Sequence, residues 1–262
     1  MSNTQAKTAL ITGASSGIGK VFAQIHAAGG GDLVIVARSE DKLAELKQEL
    51  EAKHSVTVTC ISKDLSQPEA PQQVFDAVKA AGIKIDYLIN NAGFGGRGKF
   101  HERDWADDLG MINLNVTALT ALTRLFLPEF VQRNSGRILN VSSTAALVPG
   151  PLQAVYYATK GYVTSFSNAI AEELHDTDIT VTALMPGATE TGFAATSGMD
   201  KTSLFANTAS AEDVAQAGYD AMLAGKLNVI AGVTTSQRIQ LAMVPFVPKK
   251  MILKQIRQVQ EV

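Results

Sequence analysis

The chain has 262 residues, 46% hydrophobic and 18% charged, which is enough to bury a large core and excludes a chain that stays disordered for want of apolar residues. Its formal net charge of -2, with no long block of one sign, argues against a nucleic-acid partner. Cys60 is the only cysteine, the start Met1-Ser-Asn-Thr-Gln-Ala-Lys7 is polar, and no apolar run approaches about 18 residues, so a cytoplasmic protein without disulfide, signal peptide or membrane span is expected.

Thr8 to Thr12 reads as a buried strand and Gly19 to Ala28 as a helix. Leu33 to Ala37 is a second strand. Ser39 then suits an N-cap, with Glu40 and Asp41 in the first turn of a helix ending near Lys53. Val56 to Cys60 alternates like a third strand. Pro68 suits the first position of a helix reaching Ala81. Ile85 to Ile89 is a fourth strand, and a long helical stretch runs from about Glu102 to Val131. Arg137 to Val141 is a fifth strand. The next helix reaches His175, and Ile179 to Leu184 is a sixth strand. Pro186 to Ser210, rich in Gly, Ser and Thr, reads as a long loop or lid. Ala211 to Ala224 is helical and Asn228 to Ala231 is a short last strand. This alternation predicts an α/β fold, a parallel sheet covered on both faces. One domain over 1–262 is expected, with a core of about 7–231, a substrate loop at 189–210 and an extension at 236–262.

Thr12-Gly-Ala-Ser-Ser-Gly-Ile-Gly19 joins the first strand to the first helix. Glycines there let backbone approach a pyrophosphate, and the helix start supplies free amides and positive dipole. Arg38 ends the second strand, where an acid would accept from a ribose 2′-hydroxyl. An arginine there pairs with a 2′-phosphate, so NADP(H) is expected over NAD(H).

Tyr156 and Lys160 stand four apart in Gln153-Ala-Val-Tyr-Tyr-Ala-Thr-Lys160, on one face of a helix. A cation beside a phenol favours the phenolate and is expected to lower its pKa, making the pair a proton donor and acceptor. Tyr157 and Tyr162 have Gly161 and Phe166 at that spacing, so only Tyr156 has the lysine. The four histidines, His26, His54, His101 and His175, show no metal spacing, and no metal is expected.

With these residues in view, the chain resembles the short-chain dehydrogenase/reductase family in its single-domain subtype. Thr12 to Gly19 matches T-G-x-x-x-G-x-G, and Asp64-Leu65 matches the acidic position after the third strand. Asn90-Asn-Ala-Gly93 matches N-N-A-G, Asn115 the helical asparagine, and Pro186-Gly187 with Thr191 the P-G-x-x-x-T motif. Ser143 precedes Tyr156 by thirteen residues. The resemblance implies a Rossmann-type doubly wound parallel seven-stranded sheet, in order 3-2-1-4-5-6-7. It implies hydride transfer between a nicotinamide cofactor and a carbonyl or alcohol. Ser143, Tyr156, Lys160 and Asn115 are then the catalytic candidates. Tyr156 exchanges the proton, Ser143 stabilises charge on the substrate oxygen, Lys160 also holds the nicotinamide ribose, and Asn115 holds Lys160 through water. Ser142 should point the opposite way from Ser143. Gly13, Ser15, Gly17, Ile18 and Gly19 would cradle the diphosphate, with Ser16 and Arg38 near the 2′-phosphate. Asp64 and Leu65 would border the adenine, Asn91, Ala92 and Gly93 the adenosine ribose, and Pro186, Gly187, Thr189 and Thr191 the nicotinamide.

Substrate choice is expected in Phe94 to Gly98, Ala145 to Gln153 and Thr189 to Asn207. Phe94, Leu147, Val148, Leu152, Met185, Phe193 and Phe205 suggest an apolar pocket, whereas Phe100 and Trp105 are expected to pack. The tail from 236 mixes apolar residues with Lys249, Lys250, Lys254 and Arg257. Packing or a subunit contact is the preferred reading for it over a cover for the pocket or a membrane contact. A homodimer or homotetramer is implied by the resemblance. A non-catalytic NADP-binding sensor or scaffold with the same fold is the alternative function, and the intact catalytic set argues against it. An extended nucleotide-sugar epimerase would carry a different glycine spacing and a longer C-terminal domain.

Overall fold

The computed structural model describes residues 7–200, 202 and 205–261; the polar start at 1–6, three positions of the expected substrate loop and the last residue of the tail lie outside them. Strands β1 (Thr8–Thr12), β2 (Asp32–Ala37), β3 (Val58–Ser62), β4 (Tyr87–Asn90), β5 (Gly136–Val141), β6 (Ile179–Pro186) and β7 (Asn228–Ala231) form one seven-stranded sheet in the order β3-β2-β1-β4-β5-β6-β7. Every neighbouring pair is parallel.

The helices are α1 (Gly17–Ala28), α2 (Glu40–Lys53), α3 (Ala70–Ala80), α4 (Trp105–Ile112), α5 (Leu119–Gln132), α6 (Ala154–Glu173), α7 (Phe193–Ser197), α8 (Ala211–Leu223), α9 (Thr235–Met243) and α10 (Lys249–Gln260). Side chains along a strand alternate between faces. Ala9, Ile11 and Ile35 therefore meet α1, α2 and α8 through Phe22, Leu43 and Val214. Leu10, Val34 and Val36 meet α3, α5 and α6 through Val74, Phe126 and Ile170. Both faces are dry, which is why the strand segments read as nearly continuous apolar runs. The chain order reverses between β1 and β4, and the carboxyl ends of those strands open a crevice there.

Some boundaries differ from the sequence reading. β3 begins at Val58, not Val56, because Leu33 pairs with Val58 and the Asp32 carboxylate accepts from the Thr57 amide at 2.7 Å. α3 begins at Ala70, with Pro71 rather than Pro68 in its first turn. The single helix expected from Glu102 is divided. Asp104 caps α4 by accepting from Ala106 N, and a π-helical segment, Asn113–Ala118, joins α4 to α5. The joined helix Trp105–Gln132 is, by length and composition, apolar enough to cross a membrane, contrary to the sequence reading. Its Leu119, Leu122, Phe126 and Phe130 are packed on the sheet. Phe100 and Trp105, expected to pack, are each 62% exposed. His26 is a core residue: its ring meets the Tyr219 hydroxyl at 2.7 Å and the Lys7 carbonyl at 2.9 Å, and burial lowers its pKa.

Candidate active site

A cavity of about 1370 Å³ runs from the glycine turn, past α6, to the C-terminal tail. That exceeds the roughly 300–1,000 Å³ of an ordinary small-ligand pocket and suits a dinucleotide with a second molecule. Its floor is the turn after β1. Gly13 and Gly17 have φ of +68° and +53°, conformations a side chain would strain. A Cβ on Gly13 would lie 2.8 Å from the Asn91 amide and 2.9 Å from Ala92 Cα. Ser16 caps α1 without using its hydroxyl, so the first amides of the helix stay open to an anion. These features fit a dinucleotide pyrophosphate.

Ser15, Ser16, Gly17 and Ile18 line the cavity with Gly13. Gly19 does not. A Cβ there would collide with the Gly13 carbonyl and the Asn91 amide, so Gly19 is needed for closure of the turn itself. Asn91 donates to the Thr12 carbonyl at 2.9 Å, and the Asn91 and Ala92 amides both donate to the Thr12 hydroxyl at 3.0 Å. The Asn90-Asn-Ala-Gly93 motif thereby braces the glycine turn while Asn91, Ala92 and Gly93 face the cavity. Gly187 admits the backbone after β7, since a Cβ would lie 2.5 Å from the Gly232 carbonyl. Pro186, Thr189 and Thr191 share the cavity wall with it.

At the far end of β2 stand Arg38, Lys42 and Lys63, beside Asp64 and Leu65. Burial works against the Asp64 charge, but hydrogen bonds from Ser66 and the charge of Arg38 hold its carboxyl below the usual range. Lys42 and Lys63 escaped the sequence reading. Lys42 lies four residues after Arg38, a spacing that was readable; Lys63 reaches the site only because β3 ends beside β2.

The first turns of α6 bring together the residues of the Tyr-Lys motif. Tyr156 is 8% exposed and Lys160 6%. The Ser143 hydroxyl, which accepts from the Ala145 amide at 3.1 Å, acts on the Tyr156 phenol to lower its pKa. Ser142 points away, its hydroxyl donating to the Lys160 carbonyl at 2.9 Å. Tyr157 turns toward the tail and accepts from Gln260 Nε2 at 2.7 Å. Burial pushes its phenol up to about 12. Lys160 Nζ donates to the Val141 carbonyl at 2.8 Å. Burial pushes Lys160 down to about 8.

The expectation that Lys160 lowers the Tyr156 pKa is not met. Burial raises the Tyr156 pKa above that of a free phenol, the Ser143 hydroxyl offsets this in part, and the Lys160 ammonium lies 5.9 Å from the ring centroid. Asn115, in the π-helical segment, is 1% exposed and does not line the cavity. Its amide accepts from Phe94 N at 3.1 Å and donates to the Phe94 carbonyl at 2.9 Å and to the Thr159 hydroxyl at 3.1 Å. A Cβ on Gly93 would lie 3.0 Å from Asn115 Oδ1 and 3.4 Å from Lys160 Nζ, so the glycine keeps the space between them clear. Among the described residues, no three His, Cys, Asp or Glu are grouped to hold a metal ion.

The family model described as short chain dehydrogenase matches residues 7–202. The chain belongs to the short-chain dehydrogenase family. It is 38% identical over 195 residues to an NADP-dependent 3-hydroxy acid dehydrogenase of Schizosaccharomyces pombe, covering 74% of this chain and 75% of that one. It is 35% identical to the human very-long-chain 3-oxoacyl-CoA reductase over 68% of this chain, and the match spans 58% of that protein's length. A short-chain dehydrogenase from Sphingobium yanoikuyae, solved with NADPH, superposes with a TM-score of 0.83 at 32% identity, covering 98% of each chain. A relative from Burkholderia phymatum was solved with NAD, at 26% identity, a TM-score of 0.81 and 94% coverage of each. The protein is thus an oxidoreductase of the CH–OH class on a fold that binds a nicotinamide cofactor.

The substrate side of this short-chain dehydrogenase departs from the sequence reading in two ways. Phe94, Val148, Phe193 and Phe205 line the cavity as expected, but Leu147, Leu152 and Met185 do not. Met185 is buried within β6, and Leu152 sits at φ +66° with its carbonyl taken by the Gly98 amide. α7, inside the expected loop, places the Phe193 ring 5.3 Å from that of Tyr156. The tail is the larger departure. Instead of packing elsewhere, α9 and α10 form a wall of the cavity. The Gln260 carbonyl accepts from Arg97 Nε at 2.6 Å, which ties the end of α10 to the loop after β4. Gln153 also lines the cavity; it is 3% exposed and its Nε2 has no protein partner.

Proposed function

We propose that the protein is an NADP(H)-dependent reductase of ketones, aldehydes or 3-oxoacyl compounds. The observation that carries this is that Ser143 and Tyr156 stand together in the wall of a cavity that continues to the glycine turn. A bound reduced nicotinamide supplies the hydride. The chain must then hold the substrate oxygen and deliver one proton. Tyr156, kept protonated by burial, suits the donor to a developing alkoxide. Ser143 offers a second hydroxyl to the same oxygen. Lys160 holds a positive charge beneath the site and can pass a proton toward Tyr156. Asn115 fixes the Phe94 backbone and, through Thr159, the first turn of α6.

The choice of NADP(H) over NAD(H) is supported by three cations, Arg38, Lys42 and Lys63, at the adenosine end. Arg38→Asp is expected to raise the KM for NADPH by about 10- to 100-fold and to improve NADH, on the scale of one charge-assisted hydrogen bond. Steady-state kinetics with both cofactors check this, and unchanged selectivity would place the 2′-phosphate elsewhere. The reductase reading itself is tested by an NADPH-oxidation screen across ketones, aldehydes, quinones, steroids and 3-oxoacyl thioesters. A homodimer or homotetramer is supported by exposed Trp105, Leu109 and Tyr162 on α4 and α6, and sedimentation measures it.

A further inference from the structure

The charges of the cavity are unevenly placed. Arg38, Lys42, Lys63 and Asp64 gather at the nucleotide end, Lys160 lies beside Tyr156, and Asp107 comes from α4. The tail adds none. It supplies Leu241, Val244, Val247, Ile252, Ile256 and Val259, with uncharged Gln237, Gln240 and Gln255. Ile252, Ile256 and Val259 follow one another at helical spacing on α10. Its charged residues, Lys249, Lys250, Lys254 and Arg257, are all exposed to water. α10 therefore has an ordinary amphipathic pattern, but its apolar stripe faces the cavity more than the core. Only Ile252 in that stripe is fully buried, while Ile256 and Val259 are half-buried. Apolar surface left facing a cavity is stabilised by an apolar occupant.

We infer that the substrate carries an extended aliphatic chain, and that the chain lies along the tail stripe while the carbonyl sits at Ser143 and Tyr156. This rests on the reductase reading above and goes beyond it by naming the substrate class. The Gln260 bonds to Tyr157 and Arg97 hold α10 at the distance that forms the compartment. A polar or charged substituent at that end of the substrate would lose its water with no charged partner in the tail.

The test compares 3-oxobutanoyl and 3-oxododecanoyl N-acetylcysteamine thioesters with NADPH. A fully buried methylene is worth about fourfold, so partial burial of the longer chain should raise kcat/KM by about tenfold or more. Ile256→Asp should collapse that long-to-short ratio to near one, and Ile256→Leu should keep it. Val244→Asp serves as an independent variant from α9's end, with NADPH fluorescence quenching to show that each variant is folded. A wild-type ratio near one overturns the chain compartment and leaves the reductase reading standing. An equal loss on both substrates in the Asp variants also overturns it, since that is what a merely structural role would produce. If the wild type reduces neither thioester nor any compound of the broader screen, the reductase reading fails and the compartment with it.

Discussion

Tyr156→Phe should lose about 10³-fold or more in kcat for carbonyl reduction while the Kd for NADPH changes by less than about threefold. The substitution removes one oxygen. The Tyr156 ring stays packed against Phe193 and Tyr157, so the wall of the site is kept. What is lost is a proton held in place by burial, beside the Ser143 hydroxyl. General acid catalysis contributes about 10²–10⁴-fold, and here no second phenol can substitute. Tyr157 accepts from Gln260 and is directed at the tail. Turnover kinetics together with NADPH fluorescence titration separate the two effects. Substantial turnover in the variant would mean that another group, or water, supplies the proton.

Lys160→Met should abolish most turnover without destabilising the fold. Lys160 is buried and its pKa falls from 10.5 to about 8, a cost on the order of 3 kcal/mol when it is charged at neutral pH. Methionine removes that cost but leaves the Val141 carbonyl without its donor, a loss of about 1–3 kcal/mol. The net expectation at pH 7 is an unchanged or slightly raised Tm. The pH dependence follows from the sign of the shift. Between about 8 and 10.5 the unfolded chain binds the proton more readily than the folded one, so wild-type stability from this group rises with pH across that window. Below it the full cost remains. Any stability advantage of Lys160→Met should therefore shrink as pH rises from 8 to 10.5, as denaturant melts of the two proteins would show. A variant that loses several kcal/mol at pH 7 would mean that the ammonium has a stabilising partner in solution beyond the Val141 carbonyl.

The strands and both helical layers were legible because buried parallel strands leave continuous apolar runs and the helices between them keep a helical period, whereas the strand order came only from the family resemblance. The glycine turn was legible because backbone conformation itself demands glycine at Gly13 and Gly17. Tertiary context hid the rest. The π-helical segment around Asn115 depends on amide bonds to Phe94, a residue on another element. The direction of the Tyr156 shift depends on burial, which spacing to Lys160 does not report. The tail pattern at Ile252, Ile256 and Val259 announced an apolar helix face, but periodicity is the same whether such a face meets a core, another chain or a cavity. Gly19 resembled a ligand-binding position, yet it is needed because protein backbone approaches it closely, and Gly187 both lines the cavity and admits the Gly232 backbone.

The most direct test of hydride transfer uses NADPH carrying deuterium at the transferable C4 position, incubated with the protein and a carbonyl panel that includes 3-oxododecanoyl thioester. Mass spectrometry of the alcohol product should find one deuterium on the former carbonyl carbon. Tight NADPH binding with no deuterium delivered to any carbonyl compound would contradict the reductase account and favour a nucleotide-binding sensor on the same fold.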